Sequence, residues 1–143
     1  MRIAERLLGA LLILGAGITT LYWWSFFTGG DVMALRARWY IAFESSFPLA
    51  DGWMAFCMLV SGIGFFLQRR FAAPFGLLAG ATLLYLAAID ITFDVENRLY
   101  DLAATNSAMR LEIFINIATA ILGMASIAIS YVKIRAVRQP PNG

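Results

Sequence analysis

The chain has 143 residues, 61% hydrophobic and 14% charged, with a formal net charge of +2 and a mean hydropathy of +0.75. A soluble domain of this size has too little interior to hide that much apolar surface, so lipid must cover much of it. One cysteine and no histidine exclude an internal disulfide, a CxxC redox pair, His-ligated haem and an imidazole base.

The sequence pI near 9.0 does not indicate nucleic acid. The basic residues lie beside apolar segments and not along one helix face.

Four apolar segments approach the ~20 residues that a hydrocarbon core requires. The first, Leu7 to Phe27, follows Arg2 and Arg6 as the core of a signal peptide would. Its apolar run is too long for one and ends in aromatics without a small-residue cleavage site, so a retained span is expected. Next comes "TGGDVMALRARWYIAFESSFPLA". Gly29 and Gly30 should break the helix, and "ALRARWYIAFESSF" should form a short helix along the outer surface. Pro48 should end it before the second span.

That second span runs from about Asp51 to Leu67 and carries Cys57, read as a small packing residue. "QRRFAAP" then requires a tight antiparallel hairpin into the third span, Phe71 to Phe93. Pro74 falls in its first turn, where a missing N–H does no harm. The fourth span is Leu111 to Val132, and residues 133–143 read as a polar tail whose end, "RQPPNG", is expected to be disordered. The expectation is an all-α integral membrane protein: one transmembrane domain, a four-transmembrane-helix bundle.

Orientation follows from basic residues in short loops. One side carries Arg2, Arg6, Arg69, Arg70, Lys133, Arg135 and Arg138 against a single acid, Glu5; the other carries Arg36, Arg38, Arg98 and Arg110. Both termini are therefore expected on the cytoplasmic side. Tyr22, Trp23, Trp24, Trp39, Tyr40, Trp53 and Tyr100 should form the outer aromatic belt. "FESSFP" and "FDVEN" resemble marks of a bacterial membrane-protein family, which implies a bacterial inner membrane.

Positions three, four or seven apart share a helix face. Asp90, Asp94, Asn97 and Asp101 are spaced 4, 3 and 4 apart, and their face runs back through Ala87 to Gly80 and Gly76. Gly76 and Gly80 form a GxxxG pair, which permits close helix contact in lipid. On the fourth span Glu112, Asn116, Thr119, Gly123, Ser126 and Ser130 make a second polar-or-small stripe. Polar groups facing lipid are costly, so both stripes should point into the bundle. Gly9, Ala16 and Thr20 on the first span and Asp51, Ala55 and Gly62 on the second are the matching positions. Glu96 should point off the stripe into water.

The expected site is an outward-facing acidic pocket formed by Glu44, Asp51, Asp90, Asp94, Asn97, Asp101, Glu112 and Asn116. Three uses remain open. Membrane carboxylates by default mark a site for ions, protons or a cationic ligand. No cofactor is indicated, although all-oxygen ligands favour Ca²⁺ or Mg²⁺ over zinc or copper, with Asp90, Asp94 and Glu112 as ligands if a metal binds. A cationic or amphipathic organic ligand among Trp and Tyr faces fits equally.

Alternatively, Arg36, Arg38, Arg98 and Arg110 pair with the acids and the protein is a structural or accessory subunit, with a homo-oligomer or another membrane protein as partner. Finally, paired carboxylates such as Asp90 and Asp94 could serve a small membrane enzyme acting on a lipid-like substrate.

Overall fold

A computed structural model describes residues 2–29 and 32–138. Gly30, part of the expected helix break, and residues 139–143 of the expected tail lie outside the described residues. Helices α1 (Arg2–Phe27), α2 (Arg38–Glu44), α3 (Pro48–Phe66), α4 (Ala72–Glu96) and α5 (Ser107–Arg138) make an all-α architecture, with a 3-10 turn at Leu99–Ala104 between the last two. No strand occurs among the described residues. Four helical stretches are long and apolar enough to cross a membrane: Arg2–Phe27, Arg38–Phe66, Ala72–Glu96 and Ser107–Ala136. α5 continues without a break through 133–138, so that part of the expected tail is helical.

Lipid tails are as apolar as leucine, so burial of apolar surface does not bring such helices together; close backbone approach does. α1 meets α3 where Gly9 and Gly62 face each other. A Cβ on Gly62 would lie 2.7 Å from the Gly9 carbonyl oxygen. α4 meets α5 in the same way, for a Cβ on Gly80 would lie 2.8 Å from the Gly123 carbonyl oxygen. Ser126 Oγ then donates to Gly76 O at 2.7 Å. The Gly76/Gly80 pair and the small residues of the α5 stripe are therefore two halves of one seam. α3 packs on α4, closing the bundle around Leu12, Cys57, Met58, Phe65 and Leu83.

The outward faces carry Leu14, Leu21, Phe114, Ile117 and Ile121, all exposed. Apolar surface of that extent and regularity is what a bilayer covers. Thr20, expected on the inward face, is exposed instead, and its hydroxyl donates to Ala16 O one turn back. That bond satisfies the hydroxyl locally, so Thr20 needs no partner helix.

Gly29, just after α1, takes the left-handed φ of 82°, but the two connections following α3 and α4 are built without glycine where one would be usual. α3 closes in a Schellman arrangement: Arg69 N–H donates to Gly64 O at 2.9 Å and Gln68 N–H to Phe65 O at 3.4 Å. The left-handed residue there is Gln68, with φ 53°; after α4 it is Arg98, with φ 54°. Asn106 caps α5: its Oδ1 accepts from the Ala108 and Met109 amides, and its Nδ2 donates to Ala34 O. That last bond docks the segment ahead of α2 onto the bundle. Tyr40, Ala34, Leu99 and Met109 form a second small core beneath it, and Phe43 stacks on Phe93 with ring centroids 3.5 Å apart.

Candidate functional site

Alternate helices run in opposite directions, so one end of the bundle gathers the acidic stripes and the other the basic ends. Across the acid end four carboxylates are each met by a donor from another helix. Trp23 Nε1 on α1 donates to Asp51 Oδ2 on α3 at 2.8 Å. Tyr22 OH on α1 donates to Glu44 Oε2 on α2 at 3.2 Å. Tyr40 OH on α2 donates to Glu112 Oε2 on α5 at 2.9 Å. Asn116 Nδ2 on α5 donates to Asp94 Oδ2 on α4 at 3.3 Å.

Asp94 is completely buried, and its Oδ1 has no hydrogen-bond partner. Asp90 accepts no hydrogen bond from any described side chain. Tyr100, in the 3-10 turn, has its hydroxyl pKa pushed above the ordinary value by burial and then by the Asp94 charge, so it remains a neutral group.

None of these donors carries a charge. Among the described residues the one ion pair is Lys133 with Glu5, at the opposite end. No described carboxylate lies within 4.0 Å of Arg36, Arg38, Arg98 or Arg110; Arg110 Nη1 instead donates to Ala103 O. The pairing expected between the outer arginines and the acids is not formed among these residues. Arg98 lies four residues beyond Asp94 in sequence, but it falls outside α4 in the left-handed turn, which breaks the helical spacing.

The carboxylates surround a cavity of about 90 Å³ lined from every spanning helix, among others by Thr19, Tyr22, Trp23, Asp51, Asp90 and Glu112. Glu44 and Asn116 also line it. α1 and α5 meet lower down, where Gly15 approaches Leu122. Toward the acid end they line the cavity instead of each other. The volume is room for about three water molecules at roughly 30 Å³ each, well below the roughly 300–1,000 Å³ of a drug-sized pocket.

Of the eight residues expected at this site, the fold brings Glu44, Asp51, Asp90, Glu112 and Asn116 to the cavity wall, with Asp94 bonded behind Asn116. It does not bring Asn97 or Asp101. Both are exposed, and Asn97 Nδ2 turns back to Phe93 O. α4 ends at Glu96, so the helical spacing that put these two on the stripe no longer applies. Glu96 is exposed, as expected.

The sequence reading missed the donors. Tyr22, Trp23 and Tyr40 looked like interfacial aromatics, yet Tyr40 is fully buried and the other two are half-buried. Trp24, Trp39 and Trp53 do remain exposed. A signal was present on α1: Tyr22 and Trp23 lie three and four residues beyond Thr19, on the face that lines the cavity.

Among the described residues no three Asp, Glu or Cys side chains converge as metal ligands would; Asp90, Asp94 and Glu112 do not form such a group. No protein family, curated protein or solved structure matches the chain.

Proposed function

We propose that the protein is a multi-pass membrane protein whose acid-end cavity binds a compact organic cation. The ligand is an ammonium group, free or as the head of a small amphiphile. The observation that carries this reading is the imbalance at the cavity. Five carboxylates, those of Glu44, Asp51, Asp90, Asp94 and Glu112, line or back onto it, and every hydrogen-bond donor they have is neutral.

A cluster of acids in a low-dielectric wall demands counter-charge. The cavity's size selects a small cation, and the Tyr22 and Trp23 rings on its wall add cation–π attraction. The dispersed carboxylates favour a diffuse organic cation over a divalent metal, which wants several oxygens at one point. Orientation completes the proposal: the basic ends and both termini face the cytoplasm, α2 lies at the outer surface, and the cavity opens outward.

Trp23 supplies the test. In a Trp24→Phe, Trp39→Phe, Trp53→Phe background, its indole is the only one left and is bonded to Asp51 on the cavity wall. Methylammonium chloride should change its emission saturably, and Glu112→Gln should abolish the change. A response that is linear in salt, or equal with sodium, would rule the ligand out. The same hydrogen bonds tie α1, α2, α3 and α5 together, so a purely structural role is the outcome that such a result would leave.

A further inference from the structure

At the other end of the bundle a second cavity, about 470 Å³, opens between the start of α1, the α3–α4 turn and the end of α5. It is more than large enough for a charged head group. Arg2, Arg69, Arg70 and Lys133 line it against one acid, Glu5. Glu5 is already engaged: it is buried and paired with Lys133, whose ammonium also lies 5.3 Å from the Phe65 ring centroid.

The three arginines have no carboxylate within 4.0 Å among the described residues. They therefore present unneutralised guanidinium forks, the geometry that recognises phosphate oxygens in pairs. The Schellman closure of α3 fixes the backbone that carries two of them. Ala73, Pro74 and Ile134 complete the wall with apolar surface. The cavity sits where four membrane-crossing helices end, which is head-group level in a bilayer.

We propose that this cavity binds the phosphate of an anionic phospholipid head group, with Arg69 and Arg70 as its principal ligands and Lys133, held by Glu5, as its floor. A soluble phosphate offers the same oxygens. The apolar wall and the level of the cavity favour the lipid, whose glycerol and acyl chains continue into the hydrocarbon. This inference is independent of the acid-end reading, since it uses other residues and a ligand of opposite charge.

The test is titration of the purified full chain in detergent, followed by native mass spectrometry. Phosphatidylglycerol, phosphatidylcholine and sodium phosphate would each be the added probe. Arg69→Gln with Arg70→Gln is the informative variant, because both side chains are exposed and unpaired and melting would verify its fold. Arg98→Gln with Arg110→Gln at the acid end is the charge-matched control. Phosphatidylglycerol should bind and phosphatidylcholine should not. The informative variant should bind roughly 30-fold more weakly, at about a sixfold loss for each basic residue, while the control stays within about twofold. Equal losses in variant and control, or none in the variant, would overturn the site. Phosphate binding as tightly as phosphatidylglycerol would overturn the lipid as its occupant.

Discussion

The two ends of the bundle solve the same problem in opposite ways. At the basic end one buried carboxylate, Glu5, is matched by one half-buried ammonium, Lys133. At the acid end several carboxylates are met by tyrosine, tryptophan and asparagine alone, and Asp94 keeps one oxygen unpartnered. Helices that needed only to be held together would not require buried carboxylates, and an uncompensated one is costly. The contrast teaches that charge left unmatched within a chain is more informative about a ligand than charge as such.

The largest effect is expected from breaking the matched end. Lys133→Met strands the Glu5 carboxylate in an apolar setting and should cost about 3–5 kcal/mol. Adding Glu5→Leu should restore most of that in a double-mutant cycle followed by unfolding in detergent. If the single change were tolerated, the contrast between the ends would collapse.

Between the ends, the Gly80–Gly123 approach sets the depth at which Asn116 meets Asp94. Gly80→Leu would drive a side chain into the Gly123 carbonyl and the Ile127 side chain. It should destabilise by about 1–3 kcal/mol and weaken any ligand effect on Trp23 emission as the helices separate. At the acid end, Asn106→Ala removes the α5 cap and the bond to Ala34 O together, for a loss of about 1–2 kcal/mol measured by unfolding.

Smaller effects sharpen the comparison. Arg98→Gly relieves a left-handed non-glycine residue and should stabilise by about 1 kcal/mol. Gln68→Gly at the basic end should gain less, because it also removes the Gln68 Nε2 bond to Phe65 O. A melting series over both variants checks the order. Smallest of all is Asp94→Asn. It keeps the shape and an acceptor for Asn116 while removing a charge that no described cation offsets, so stability should stay within about 0.5 kcal/mol or rise. A marked loss would mean that the carboxylate is matched after all.

Much of this was legible in the sequence. The four apolar runs gave the spans, and the 3.6-residue period placed Asp90, Asp94, Glu112 and Asn116 on inward faces, as the fold bears out. Gly76, Gly80, Gly123 and Ser126 announced the α4–α5 seam, since small residues at helical spacing serve little else in lipid.

Other features were hidden for physical reasons. The αL turn at Arg98 carries no glycine to mark it, so the polar spacing runs on in sequence to Asn97 and Asp101 past the true helix end. Tyr22, Trp23 and Tyr40 share their composition with any interfacial belt. Whether such a ring lies at the surface or turns its polar tip inward depends on tertiary contacts with α2, α3 and α5. The four arginines of the acid end resemble partners because sequence shows opposite charges nearby but not the turns that separate them.

The central claim is that the acid-end cavity takes an organic cation, and it is tested most directly by melting the full chain in detergent. Methylammonium chloride would be compared with sodium chloride at equal ionic strength, in the native protein and in Asp90→Asn. Asp90 lines the cavity and accepts no hydrogen bond from a described side chain, so its loss should not disturb the fold. Ligand at 100 times its Kd should add about 2.7 kcal/mol to the native protein, seen as a higher Tm, and much less to Asp90→Asn. Identical melting of the native protein in the two salts would contradict the account.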